Sequence, residues 1–301
     1  MSKYSSIEKS ARKTGATVIF CKKVTTLLIT GSTKKSSKNK IKTQSFKKIL
    51  LITDCFIEQY DIDNYDEPEK KAYWFDLLRI NVNTENNFFS LEFAYPEPTE
   101  IDNKNKIDPQ NYIFELVNND GEVMRFYRKI IEMIQRIYTK QEMRGLVFFD
   151  DESLYNDDEY FKKFNFTPRG AFARFLILSM KKKNEFLSQH VKESVAEYIL
   201  MKYNNIYIKN EFCIENCLDI LLSAIKPLQY VESISIPPFS KFIQVDSLNI
   251  VANFLKKFSN IQHIEIRGPC LKSHFHDLCR SIENMGVFDT DNKGKRKSQC
   301  N

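Results

Sequence analysis

The 301-residue sequence predicts an α+β protein built in two parts. Three observations carry that expectation. The first half holds a series of β-branched and aromatic runs broken by polar turns, which reads as antiparallel strands. One long amphipathic segment closes that series. The last third repeats itself at a spacing of about thirty residues, each unit being a short strand followed by a helix.

Residues 1–15 are polar and are expected to be disordered. The run ATVIFCKKVTTLLIT (16–30) is strand-like, and a Lys/Ser loop follows it. KKILLITDCFIEQYDI reads as two strands meeting at a Thr53-Asp54 turn, and YWFDLLRINV (73–82) and NFFSLEFAY (87–95) as two more. After a polar loop from Pro96 to Pro109, NYIFELVN runs into the turn Asn119-Asp120-Gly121. A helix is expected from about Met124 to Met143, because Phe126, Ile130, Ile131, Ile134 and Ile137 fall on one face. Six or seven antiparallel strands plugged by that helix would make a small closed barrel.

Residues 144–202 read as an acidic linker (DDESLYNDDE) and a helical pair. Thr167 and Pro168 supply an N-cap and a first-turn proline for the first helix, which three lysines close. The second runs from about Glu185 to Met201, and together they suit the cap that a repeat stack requires. Over 203–288, a shift of thirty residues lays Leu218 on Leu248, Leu221 on Val251, Ile225 on Leu255, Val231 on Ile261, Ile234 on Ile264 and Ile236 on Ile266. A shift of 28 carries Ile234 and Ile236 back onto Ile206 and Ile208. Each unit is an I-x-I strand and a helix with apolar residues three or four apart. About three units are expected. The last runs into the basic tail 289–301 (DTDNKGKRKSQCN) with no capping helix, which implies a shortened relative of a longer repeat protein or an edge completed by a partner.

Charge is divided by region. Lys9 to Thr53 holds eleven Lys, one Arg and no acid, whereas Asp54 to Glu122 holds seventeen acids against five Lys and Arg. Such a dipolar arrangement says more about partners than the net +6 of the whole chain. Seven lysines, Lys34, Lys35, Lys38, Lys40, Lys42, Lys47 and Lys48, fall within fifteen residues. They can hold an anionic membrane surface diffusely, at about 1 kcal/mol for each one near it. Aromatics do not interleave with them, which argues against nucleic acid.

Catalytic chemistry finds no support: the eight glycines form no phosphate cradle, and there is no nucleophile elbow, zincin or kinase signature. Cys270, His274, His276 and Cys279 have ligand types at workable spacing for zinc, but Leu271, Phe275, Leu278 and Ile282 make the same stretch a buried helix stripe. Cys213 and Cys217 are read in the same way. Asp150, Asp151, Asp157 and Asp158 lack calcium-loop spacing and read as a solvated linker. No metal, cofactor or catalytic residue is expected. The seven cysteines show no disulfide framework, no run spans a bilayer, and the N-terminus lacks a signal-peptide core, so the cytosol is the expected compartment.

The strand and helix order of 16–143 resembles a pleckstrin-homology domain, above all in KILLITDCFIEQYD, an apolar strand, a Thr-Asp turn and a second strand ending in an aromatic. That resemblance places phosphoinositide binding at the Lys/Ser loop. Two departures stand out: the only tryptophan is Trp74, not one in the final helix, and the family's Lys-x-Arg spacing on the second strand is missing. The repeats resemble leucine-rich repeats of ribonuclease-inhibitor length. With the entry Gly170-Ala171-Phe172 between them, the three parts in order resemble the N-terminal portion of the CARMIL family, which regulates actin filament capping and links it to the membrane. The segment by which that family binds capping protein has no counterpart in this sequence. The resemblance agrees with a non-enzymatic adaptor, peripheral at the inner face of the plasma membrane. The polar positions beside the I-x-I pairs, Tyr207, Lys209, Ser235, Glu265 and Arg267, are expected to point toward a protein partner. A scaffold that binds proteins alone, with no membrane contact, is the other reading of the same residues.

Overall fold

The structure is a computed structural model of the chain. It describes residues 3–30, 42–83, 88–94, 113–117, 123–139, 142, 148–149, 166–182, 187–238, 241–256, 260–267, 276 and 279–280. Two compact units divide the chain, Met1–Met180 and Lys181–Asn301.

In the first unit, residues Lys3–Lys13 form a helix, α1, where the sequence predicts disorder. The reason is tertiary: Ile7 and Ala11, one turn apart, are both buried. The Thr14 hydroxyl donates to the Ala11 carbonyl at 2.7 Å, and Gly15, at φ +92°, ends the helix in the left-handed region that glycine tolerates. Strands β1 (Val18–Thr30) and β2 (Lys42–Thr53) then pair antiparallel along their whole length. β3 (Phe56–Asp61) and β4 (Lys70–Tyr73) continue outward on one side. A 3-10 turn at Trp74–Asp76 leads to β5 (Leu77–Asn83), β6 (Phe88–Phe93) and β7 (Ile113–Val117). The helix α2 spans Val123–Ile137 and buries Ile130, Ile131, Ile134 and Ile137 of the predicted face, with Phe126 half-buried and Tyr127 buried in addition, but ends six residues early. Beyond it Phe148–Phe149 adds a short strand, β8, parallel to β5, inside the stretch predicted as linker.

The sheet order is β4-β3-β2-β1-β7-β6-β5-β8. The predicted closed barrel is therefore not formed among the described residues: the ladder is open, with β4 and β8 at its ends. The chain leaves the sheet at the 3-10 turn instead of pairing β4 with β5. Trp74, fully buried, fills that point, its indole N–H donating to the Thr53 carbonyl at 2.8 Å and its ring lying 5.8 Å from Phe93. Thr53 is itself a turn hub, because its hydroxyl oxygen accepts from the N–H groups of Cys55 (3.1 Å) and Phe56 (2.9 Å).

A third helix, α3 (Pro168–Lys181), buries Ala171, Ala173, Phe175, Leu176 and Ile177. Gly170 is required there, since a Cβ would collide with the backbone carbonyl of Arg136 at the end of α2. One turn on, Arg174 forks onto Glu142 with both N···O distances at 2.9 Å and also donates to the Ile137 carbonyl at 3.0 Å. Its guanidinium lies 4.9 Å from the Phe75 ring centroid. Burial alone would raise the Glu142 carboxyl, but the Arg174 fork outweighs it and holds the group below its ordinary range.

The second unit opens with α4 (Gln189–Leu200), capped by the Ser188 hydroxyl, which accepts from Val191 N–H at 3.2 Å. The helical pair predicted as one cap is thus split, α3 in the first unit and α4 in the second. The chain then runs β9 (Asn205–Tyr207), α5 (Asn210–Ile214), α6 (Leu218–Ile225), β10 (Ser233–Ile236), α7 (Lys241–Leu255) and β11 (His263–Ile266). The three strands form a parallel sheet, ordered β11-β10-β9. Ile234 pairs with Ile206 on one side and Ile264 on the other, so the strand register reproduces the sequence offsets of 28 and 30. The isoleucines point to the helices: Ile206, Ile208, Ile234 and Ile236 are buried along with Leu218, Leu221, Ile225, Leu248, Val251 and Leu255.

Candidate functional site

Because side chains alternate along a strand, burying the isoleucines turns Asn205, Tyr207, Ser233, Ser235, His263 and Glu265 onto the opposite face of the parallel sheet. Parallel pairing puts Tyr207, Ser235 and Glu265 in one row across it. A chain of polar contacts links Asn205, Ser235, Glu265 and Arg267 on this face. The Asn205 amide donates to the Ser235 hydroxyl at 3.0 Å, Ser235 Oγ lies 3.1 Å from the Glu265 carboxylate, and Arg267 Nε donates to the other Glu265 oxygen at 2.8 Å. The Arg267 hydrogen bond holds the Glu265 carboxyl below its ordinary range, and in turn Glu265 raises Arg267.

The five predicted partner residues therefore play different parts. Tyr207, 40 % exposed, and Arg267 stand out from the face, with Glu265 half-buried between them. Ser235 is only 4 % exposed and acts as the link between strands, so its place as a contact residue is corrected: the longer Asn205 and Glu265 side chains cover it. Lys209 is also corrected. Its ammonium donates to Ser194 Oγ at 3.0 Å and lies 5.3 Å over the Tyr198 ring, which draws it toward α4. Three residues of the face went unpredicted, Asn205, Ser233 and the exposed His263. Each sits two positions before a predicted residue, so extending the period-two alternation one step back would have found them.

The predicted basic loop divides as well. Lys34, Lys35, Lys38 and Lys40 lie outside the described residues, as does the side chain of Lys42. Lys47 is exposed. Lys48 differs from Lys47: its ammonium sits 2.7 Å from Asp61 on β3 and 2.7 Å from Glu69, so its charge is paired within the sheet. Burial alone would lower the Lys48 pKa, but the two carboxylates outweigh that and raise it, while the Lys48 hydrogen bond draws Asp61 down to about 2.

Four thiols are governed by burial, which pushes Cys21 up to about 11, Cys217 up to about 12, and Cys55 and Cys213 also upward. These stay protonated at neutral pH and are poor nucleophiles. Of the predicted cysteine–histidine cluster, Cys270 and His274 lie outside the described residues, and His276 is exposed. Among the described residues no three metal-capable side chains converge, and no helix is long and apolar enough to cross a membrane.

No family model matches the chain, and no curated protein sequence matches it.

Proposed function

We propose that the chain is a non-enzymatic adaptor that binds a protein through the polar face of its parallel sheet. The observation that carries this reading is the exposed polar face that holds Tyr207, Glu265 and Arg267, with Glu265 fixed by Ser235 and Arg267. An aromatic and an arginine exposed on one sheet face are residue types that dominate protein–protein contact energy. The thirty-residue strand–helix repeat supports a leucine-rich repeat unit, and the antiparallel sheet with its closing helix supports a pleckstrin-homology-like first unit. Their order supports a CARMIL-like role in organising actin at the cytoplasmic side of a membrane.

The test is affinity capture from a cytosolic extract with the wild type and with Tyr207→Ala/Arg267→Ala. Proteins retained by the wild type and lost by the double variant are the expected result. Identical capture by both would overturn the reading.

The membrane half of the proposal rests on Lys34, Lys35, Lys38, Lys40, Lys42 and Lys47, without Lys48. Sedimentation with vesicles of 30 mol % phosphatidylserine (about the anionic content of a cytoplasmic leaflet) is expected to recover the chain at low salt and lose it at high salt. The pairing of Lys48 with Asp61 and Glu69 favours the other reading, a scaffold without membrane contact, and a chain that fails to sediment with these vesicles even at low salt would support it.

A further inference from the structure

The helix α1 carries a second basic surface that the loop does not account for. With Ile7 and Ala11 buried, a turn of about 100° per residue places Arg12, Lys9 and Lys13 within an arc opposite the buried stripe. All three are exposed.

The sheet beneath adds to this surface. Antiparallel partners share a face, so the register Cys21↔Leu51, Lys23↔Ile49 and Thr25↔Lys47 puts Lys23 and Lys47 on the same side as Cys21. The other side is the core, where Phe20 meets Phe126 at 5.1 Å. α1 packs on β1 and β2, and its Glu8 acts electrostatically on Cys21, which sets the helix on the face of Lys23 and Lys47. Lys23 lies one pleat beyond Cys21, about 7 Å along the strand. Acids near this surface are already engaged: Glu8 with Arg12 at 3.4 Å, Glu58 with Lys71 at 3.3 Å, and Asp54 with the Thr17 N–H at 2.7 Å. Lys9, Lys13, Lys23 and Lys47 make no ion pair or hydrogen bond among the described residues.

We propose that α1 and the β1–β2 hairpin form a rigid contact for an anionic lipid surface, through Lys9, Arg12, Lys13, Lys23 and Lys47. Five cations with one paired acid among them, spread over a helix and two strands, complement an extended sheet of lipid phosphates better than a single anion. The inference rests on the membrane reading above and adds to it a contact that is preformed and independent of the loop. Each cation near the membrane contributes a factor of about five in partitioning.

The experiment compares the full chain with two variants on vesicles of phosphatidylcholine and about one-third phosphatidylserine. One variant is Lys9→Gln/Arg12→Gln/Lys13→Gln, the other Lys34→Gln/Lys35→Gln/Lys38→Gln/Lys40→Gln. The helix variant is expected to lose on the order of 100-fold in partitioning at low salt with its thermal melt unchanged. Lys9→Arg/Arg12→Lys/Lys13→Arg, which keeps the charge, is expected to bind as the wild type. Wild-type partitioning by the helix variant with loss in the loop variant would overturn this inference and leave the loop reading standing. Loss in the helix variant alone would support the inference and overturn the loop. A wild type that ignores the vesicles but is retained on a polyglutamate resin would overturn both in favour of an acidic protein.

Discussion

The two sheets use their faces differently. In the first unit, β2 and β3 are buried on both sides: Ile49, Leu50, Leu51 and Ile52 are all covered, as are Phe56, Ile57, Glu58 and Tyr60. One side meets the core under α2 and the other is covered by the chain's own helices, including α1. In the second unit only the isoleucine side is covered, and the other carries Tyr207, His263 and Arg267 into solvent. A sheet buried on both sides is a scaffold, whereas one buried on a single side keeps a surface for something else. At β2 and β3 the first sheet therefore leaves no open face, whereas the second leaves one.

The largest expected break in that contrast is Trp74→Ala. It removes a fully buried ring and the hydrogen bond to Thr53 at the point where the strand ladder opens, and is expected to cost about 4 kcal/mol in urea unfolding. A loss under about 1 kcal/mol would show that the 3-10 turn does not anchor the first sheet. Next is Ser235→Ala, expected to cost about 1 kcal/mol, since it removes the link between Asn205 and Glu265 while both can still reach water. A cost as large as that of Trp74→Ala would mean that the polar row is a buried core and not a surface.

The smallest effect is a pH dependence at the edge of the first sheet. Asp61, held down to about 2 by Lys48, contributes stability that is present above its unfolded value near 4 and is lost as the pH falls through about 2. Lys48→Met removes the largest cause of that lowering and leaves the Asp63 N–H bond in place, so Asp61 moves up toward its ordinary range and the wild-type and variant unfolding curves should differ at pH 6 and converge toward pH 2. A gap that is constant with pH would show that Lys48 acts through packing of its methylene stem alone.

What could be read from the sequence follows the range over which each residue's partners act. The α2 face was legible because Ile130, Ile131, Ile134 and Ile137 are set by local helical spacing. The register of β10 against its neighbours was legible because a repeat makes a distant contact a local offset. α1 was not legible, since its single strong apolar residue is Ile7 and the surface that covers it belongs to strands further along. β8 hid as two phenylalanines beside an acidic run. Lys48 looked like its neighbours because the carboxylates that claim it lie 13 and 21 residues away. Of the candidate face, Tyr207, Glu265 and Arg267 could be found by alternation, but the inward turn of Lys209 depends on Ser194 and Tyr198 in a helix the strand pattern does not see.

The close approach at Gly170 has a practical consequence for dissecting the chain. A fragment cut at Met143, where the sequence suggests the first domain stops, would strip α2 of the backbone that lies against Arg136 and of the Arg174 fork that closes its last turn. The natural cut lies after Lys182, just past the end of α3 and the division between the two units. A piece ending there carries its own lid, and shorter pieces begin life with an open wound at the end of their longest helix.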